Sequence, residues 1–232
     1  MKYKRKNTQS YRLYETFWLI CLMLFLTACS QNNPPELTEK NEIRDKPDKS
    51  FIILALGDSL TEGLGVKEEN AYPSVLEKNL PDNIKVVNAG LSGETSNGLK
   101  SRLNWVLKQK PDLTILNIGA NDAMRGLPLE LTKTNIDEII TKIKQADSDV
   151  ILAGMQIYDN LGKEYVKGFS GIYPELAKKH ELLLIPFFLE HIAGKSQFNQ
   201  NDMIHPNAAG YELIVEKNIL PVVNQYLKNK QP

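Results

Sequence analysis

Short apolar runs alternate along the chain with longer segments in which apolar residues recur at helical spacing. The runs predict five strands, over residues 51–56, 84–89, 113–118, 150–155 and 182–187. In the first run every residue is apolar, which is typical of a strand that is buried on both faces of a sheet. Glycine and aspartate end this run abruptly, so we expect the strand to stop at the carboxyl edge of the sheet.

Helical periodicity fills the segments between these runs. It predicts helices over residues 71–80, 98–109, 132–145, 164–179 and, starting at Pro206 or Asn207, up to about residue 227. We expect Pro174 to kink the fourth helix or mark an irregular turn, and Pro221 to break the last one. Strands that alternate with helices predict right-handed crossovers and a mostly parallel sheet covered on both faces, which is the α/β class.

The amino-terminal segment has the pattern of an export signal. Basic residues precede an apolar block over residues 17–26, which is too short to cross a bilayer because about 20 apolar residues are needed. Leu26-Thr27-Ala28-Cys29 ends this block and resembles the lipobox of bacterial lipoproteins. That resemblance implies cleavage after residue 28 and a Cys29 that carries fatty acyl chains such as palmitate. An ordinary signal peptide with a nearby cysteine is the alternative, since small residues also precede ordinary cleavage sites.

A polar segment that contains three prolines separates this signal from the first strand and predicts a flexible tether. The sequence therefore predicts three parts: a lipoprotein signal peptide over residues 1–28, a tether over residues 29–50, and a single folded domain over residues 51–232. We expect the protein to be exported and lipid-anchored to a bacterial membrane, on its periplasmic or extracellular face.

Charge and cysteine content exclude several classes of partner. The 232 residues include 28 Lys and Arg and 28 Asp and Glu, so no net positive charge attracts nucleic acid. Of the two cysteines, Cys21 would leave with the signal and Cys29 would carry lipid, which leaves the folded domain without a disulfide or a cysteine metal site. We expect a monomer that uses no metal and no cofactor.

The first strand ends in Gly57-Asp58-Ser59-Leu60. Open α/β sheets build their sites at this carboxyl edge. A serine on a tight turn there, with glycine supplying backbone freedom, can present its hydroxyl as a nucleophile. The alternative is that Asp58 or Ser59 only caps the next helix.

Two further loops follow predicted strands and can bind a negatively charged oxygen. After the second strand, Gly90 and Gly93 let a loop expose its backbone amides, although the same composition also supports a plain turn. After the third strand, the side-chain amide of Asn121 can donate hydrogen bonds to a developing oxyanion, although it can also form an Asx turn.

Asp202 and His205 lie in a short loop before the last predicted helix. There the carboxylate can orient the imidazole and stabilise its charged form. A plain surface pair is the alternative, and a metal site is disfavoured because no second histidine or cysteine lies at ligand spacing. His180 and His191 are expected to be structural or solvated.

These four stretches, taken in order, resemble the four sequence blocks of GDSL or SGNH hydrolases, and most closely the bacterial branch of multifunctional acyl-CoA thioesterases, lysophospholipases and arylesterases. The resemblance covers about residues 51–227 and implies a flavodoxin-like, three-layer α/β/α sandwich with a five-stranded parallel sheet. It implies that Ser59 is the nucleophile, His205 the general base and then acid, and Asp202 the residue that orients His205. It also implies an oxyanion hole formed by the amides of Ser59 and Gly93 and the side-chain amide of Asn121.

The resemblance further implies a serine-dependent esterase or thioesterase. Such an enzyme would hydrolyse small to medium acyl esters, including aryl esters, acyl thioesters and lysophospholipids, through an acyl-enzyme, and the loops over residues 125–128 and 158–165 would flank its acyl pocket. A carbohydrate O-deacetylase of the same fold is one alternative, although only Trp18 and Trp105 are available to stack on sugars. A lipoprotein that binds an acylated ligand without turnover is another, although it would have no need of all four polar site residues.

Overall fold

The computed structural model describes residues 50–230, with the backbone alone for Asp159. The predicted signal peptide over residues 1–28, Cys29, and the tether over residues 29–50 apart from its last residue lie outside the described residues. Within residues 50–230, no helix is long and apolar enough to span a membrane.

Five parallel strands form one sheet, as the apolar runs predict. They are β1 (Phe51–Gly57), β2 (Ile84–Gly90), β3 (Leu113–Asn117), β4 (Asp149–Ala153) and β5 (Leu183–Ile185), in the spatial order β2-β1-β3-β4-β5. Gly57 pairs with Gly90 on one side and with Asn117 on the other, so the carboxyl ends of β1, β2 and β3 lie level with one another. The segments that follow these three strands therefore meet at one edge of the sheet.

The helices between the strands are mostly those that periodicity predicts. They are α1 (Ser59–Glu62), α2 (Tyr72–Lys78), α3 (Ser96–Val106), α4 (Ala120–Met124), α5 (Leu129–Gln145), α6 (Lys163–His180), α7 (Ala208–Ile214) and α8 (Leu220–Lys230). Periodicity does not predict α1 and α4, because helices of four and five residues are too short to show a periodic pattern.

The strand order places the helices in two layers. The chain moves from β1 to β2 in one direction and from β2 through β3, β4 and β5 in the other, so right-handed crossovers put α2 on one face and α3, α5 and α6 on the opposite face. Packing contacts join α3 to α5 and α5 to α6, while α7 packs against α2. The result is the expected three-layer α/β/α sandwich, in the order of flavodoxin-like sheets.

The core lies on both faces of the sheet. Ile53, Leu54 and Leu56 in β1 have no exposed surface, as expected for a strand covered by helices on both sides. In α5 the isoleucines at predicted helical spacing are also fully buried, and these are Ile136, Ile139, Ile140 and Ile143. Burial of such side chains stabilises the fold by roughly 1.5–3 kcal/mol each.

Three prolines affect the helices and strands in different ways. Helix α6 continues as α-helix through Pro174 to His180. At the end of the chain the irregularity lies at Val215–Ile219, a π-helical turn directly before Pro221. The wider turn gives the proline ring room where an α-helical carbonyl would clash. Strand β5 is shorter than predicted and ends at Ile185, because Pro186 has no amide hydrogen to donate to a neighbouring strand.

Candidate active site

The turn after β1 presents Ser59 as the first residue of α1. Asp58 caps this helix, and its Oδ1 accepts a hydrogen bond of 3.1 Å from the amide of Leu60. Capping by Asp58 and presentation of the Ser59 hydroxyl to the site are therefore compatible, although the sequence leaves them open as alternatives. Gly57 is required for a different reason from the one expected, because a Cβ there would lie 2.1 Å from the carbonyl oxygen of Asn117. It permits close approach of β1 and β3 rather than a left-handed backbone.

The loop before α7 brings Asp202 and His205 to Ser59. The Nε2 atom of His205 lies 2.9 Å from Ser59 Oγ, and its Nδ1 atom lies 2.7 Å from Asp202 Oδ2. The three side chains are thus linked by hydrogen bonds, although Ser59 and His205 are 146 positions apart in the sequence. The amide of Gln200 donates to the carbonyl of His205 at 2.8 Å and closes the loop at its base. Asp202 and His205 are therefore not a plain surface pair.

The carboxylate of Asp202 is fixed by its own loop. Its Oδ1 atom accepts from the amides of Ile204 and His205 at 2.9 and 3.0 Å, which leaves Oδ2 for the imidazole. Partial burial raises the pKa of Asp202, but these hydrogen bonds and the nearby His205 outweigh that effect and lower the pKa to about 2. Asp202 is therefore ionised at neutral pH and can stabilise a positive charge on His205.

The Gly93 loop follows β2 and is held in place by two arginines. Gly93 adopts a left-handed backbone with φ of 75°, and its carbonyl accepts from Arg125 Nη2 at 2.8 Å. Next to it, the buried carboxylate of Glu94 accepts from Arg102 Nε at 2.7 Å, and the same guanidinium donates to the carbonyl of Ala89 at the end of β2. Among residues 50–230, no acceptor pairs with the amide of Gly93, so this amide is free to bind a ligand.

Asn121 lies in α4, directly after β3, and is almost fully buried. Its Nδ2 atom lies 3.4 Å from Asp58 Oδ2. The neighbouring Asp122 has no exposed surface and accepts from the amide and hydroxyl of Ser96 at 2.7 and 2.5 Å. Since α3 follows the Gly93 loop, this contact joins that loop to the helix that carries Asn121. The roles of Asp122, Arg102 and Arg125 could not be predicted from the sequence, because no local sequence pattern indicates contacts between separate loops.

An apolar cavity of about 400 Å³ opens beside Ser59 and Asn121. Its lining includes Met124, Met155, Ile157, Phe187, Leu189 and Ile204. A larger groove of about 610 Å³ lies at the amino end of β2, has a charged lining and contains none of the site side chains. The smaller cavity is therefore the one that can hold the apolar part of a molecule whose polar part reaches Ser59.

Of the two loops expected to flank an acyl pocket, only one lines the cavity. Tyr158, Asn160 and Leu161 belong to the segment over residues 158–165 and contribute to the wall. The segment over residues 125–128 is absent from the lining, and its Arg125 contacts Gly93 instead. That part of the expectation is wrong, because this region lines the cavity with Met124, the last residue of α4, and not with residues 125–128.

The two remaining histidines lie elsewhere. His180 ends α6, and its Nε2 atom pairs with Asp137 Oδ1 of α5 at 2.6 Å. His191 is exposed. Both positions agree with the expectation that these side chains are structural or solvated.

The chain is similar in sequence and in structure to several known proteins. The model of the GDSL-like lipase/acylhydrolase family matches residues 55–213. The thioesterase 1/protease 1/lysophospholipase L1 of Escherichia coli K12 is 36% identical over 176 residues, which cover 74% of this chain and 85% of that protein. An arylesterase of Vibrio mimicus is 35% identical over 168 residues, covering 71% of this chain and 84% of the relative. The crystal structure of the esterase EstA from a Pseudoalteromonas species superimposes with a TM-score of 0.72 at 32% identity, covering 78% of this chain and all of that one.

Proposed function

Since the chain belongs to the GDSL-like lipase/acylhydrolase family and is an ester hydrolase, we propose that it cleaves small to medium acyl esters and thioesters through an acyl-enzyme on Ser59. The observation that carries this proposal is the hydrogen-bonded chain from Ser59 through His205 to Asp202 at the edge of an apolar cavity. Serine is a weak nucleophile until an adjacent base removes its proton, and His205 Nε2 lies at the required distance.

In the proposed first step, His205 accepts the proton of Ser59 while Oγ attacks the acyl carbonyl carbon. The carbonyl oxygen becomes negatively charged and receives hydrogen bonds from the amides of Ser59 and Gly93 and from Nδ2 of Asn121. His205 then donates its proton to the departing alcohol or thiol, and the acyl group remains on Ser59. Water attacks this ester with His205 again as base, which releases the acid and restores the hydroxyl.

The lining of the cavity supports an acyl group as the bound part of the substrate. Its wall is mainly apolar and includes Met124 and Met155, whose flexible side chains adapt to ligands of different shape. Met124, Tyr158 and Ile204 are also exposed, so the cavity is open at its mouth and can admit a chain from solvent or from a lipid aggregate. Trp105, the indole that a carbohydrate platform would use, is exposed on α3 and does not line the cavity.

A chain-length series tests this proposal. We expect a protein that begins at Ser30 to hydrolyse p-nitrophenyl esters, with a maximum at short to medium acyl chains and a decline towards palmitate. Lysophosphatidylcholine and acyl-CoA should also be cleaved, and the Ser59→Ala variant should be inactive on every substrate. Hydrolysis of acetylated polysaccharide alone would replace the proposal with the carbohydrate O-deacetylase. A folded protein that binds acyl chains and cleaves nothing would replace it with the acyl-binding lipoprotein.

We also propose that Cys29 anchors the enzyme to a membrane, outside the cytoplasm, as a monomer on a flexible tether. The support is the lipobox-like sequence before Cys29 and the polar segment after it. Several acyl chains give stable anchoring, because each buried methylene contributes about 0.8 kcal/mol.

The anchor is tested by the fate of Cys29. We expect the mature protein to begin at Cys29, to carry lipid in mass spectra, and to sediment with membranes, whereas the Cys29→Ser variant should lose the lipid. An unmodified Cys29, or cleavage at another residue in the wild type, would contradict the anchor and leave the proposed reaction untouched.

A further inference from the structure

Asp58 is a buried carboxylate in the site. It makes one more hydrogen bond than a helix cap needs. Only 1% of its surface is exposed. Its Oδ1 atom accepts from the amide of Leu60, two residues away, and this bond completes the cap of α1. Its Oδ2 atom accepts from Asn121 Nδ2 at 3.4 Å, across 63 positions of sequence. The second contact joins the turn after β1 to the helix after β3.

We propose that Asp58 is a positioning residue that fixes the orientation of the Asn121 side-chain amide, so that an N–H and not the carbonyl oxygen faces the oxyanion. This inference rests on the proposed function, in which Asn121 donates to the oxyanion. The two ends of an amide have nearly the same shape, so packing alone does not choose between them. An ionised carboxylate only accepts hydrogen bonds and therefore selects the NH₂ end. One N–H of Asn121 then points to Asp58, and the other remains for the substrate.

The surroundings of Asp58 keep it ionised at neutral pH although it is buried. Its pKa is raised to about 6, chiefly because it is buried, and Glu94 contributes in the same direction. The hydrogen bonds from Leu60 and Asn121 and the nearby His205 act against this rise. Three buried phenol groups from other helices also lie near it: Tyr72 of α2, Tyr173 of α6 and Tyr211 of α7. Above about pH 6, therefore, Asp58 is the acceptor that the amide of Asn121 requires.

The raised pKa also shows that the negative charge of Asp58 does not stabilise the folded protein. The folded protein holds the proton of Asp58 more tightly than the unfolded chain, whose pKa is near 3.8. Ionisation of Asp58 therefore favours unfolding, and this loss of stability develops as the pH rises from about 3.8 to about 6 and persists above. A residue present only for its cap would not require the charge, since asparagine caps helices as well as aspartate does.

The Asp58→Asn variant separates the two roles. Its single oxygen can still accept from Leu60 and preserve the cap, which places the new NH₂ group opposite Asn121. Two NH₂ groups cannot pair, so the amide of Asn121 is expected to invert and turn its oxygen towards the oxyanion. We expect kcat to fall by about 10² to 10³-fold, as when an oxyanion donor is removed, with little change in KM. The unfolding midpoint at neutral pH should rise.

A double-mutant cycle on the mature protein, with p-nitrophenyl butyrate as substrate, tests the coupling. If Asp58 acts through Asn121, Asp58→Asn combined with Asn121→Ala is no slower than Asn121→Ala alone. Losses that multiply would overturn the inference, because Asp58 would then act independently of Asn121. Asp149→Asn is the matched control, since that carboxylate also accepts two hydrogen bonds, from Tyr226 and Lys230, but lies at the opposite end of the sheet. It should keep full activity.

A second variant and a measurement of stability complete the test. Should Asp58→Asn fail to fold, Asp58→Ser replaces it in the cycle, because serine also caps helices and offers Asn121 no carboxylate. An unfolding midpoint that drops in Asp58→Asn, together with multiplying losses, would assign Asp58 a purely structural role. The proposed function fails separately, if the wild type does not hydrolyse p-nitrophenyl esters or if that hydrolysis does not depend on Ser59.

Discussion

Replacing Ser59 with alanine is expected to lower kcat/KM by about 10³ to 10⁶-fold while the protein stays folded. The hydroxyl is the group that would form the acyl-enzyme, and its Oγ atom lies 2.9 Å from His205 Nε2. Alanine keeps α1, because the cap is made by Asp58 and not by the serine. The loss therefore reports chemistry and not folding. The activity that remains would come from the oxyanion donors and from substrate binding.

The measurement pairs steady-state kinetics with covalent labelling. A fluorophosphonate probe should modify the wild type at Ser59 and leave the variant unlabelled. Ser101→Ala is the matched control, since that hydroxyl is exposed on α3 and donates only to the carbonyl of Asn97. Ser101→Ala should retain full turnover and labelling. A Ser59→Ala protein with more than a tenth of wild-type activity would refute the assignment of the nucleophile.

The positions of three site residues could be predicted from the sequence because each follows an unambiguous strand. Ser59, Gly93 and Asn121 come after β1, β2 and β3, and the parallel topology alone brings those three ends to one edge. Asp202 and His205 required one more inference, namely that a loop near the end of the chain returns to the same edge. The resemblance to a known family supplied it, since hydrophobic periodicity gives no information on loop paths.

The contacts that hold these residues in place could not be predicted in the same way. The bond from Asn121 to Asp58, and that from Ser96 to Asp122, depend on strand register and on two short helices that show no periodic pattern. The irregular turn before Pro221 also depends on packing, which decides where a helix yields to a proline. Sequence patterns thus locate the chemistry, whereas tertiary contacts determine its geometry.

Replacing Asp202 with asparagine is expected to lower kcat by about 10³ to 10⁴-fold. In the wild type, Oδ1 is occupied by the amides of Ile204 and His205, and Oδ2 accepts from the ring at Nδ1. The oxygen of an asparagine would stay with the two backbone amides and place its NH₂ group against Nδ1. That arrangement favours the ring tautomer with its hydrogen on Nε2, which cannot accept the proton of Ser59. Asp137→Asn is the control, because it changes the other Asp–His pair, with His180, far from the cavity.

The pH dependence of this pair follows from the lowered pKa of Asp202. Its pKa in the folded protein is about 2 and that of the unfolded chain is near 3.8, so the ionised form favours folding. This stability is complete above about pH 5 and is lost as the pH falls through about 2. Thermal unfolding should therefore show a wild-type advantage over Asp202→Asn that falls as the pH drops from about 5 towards 2. An advantage that stayed the same over this acid range would contradict the lowered pKa of Asp202.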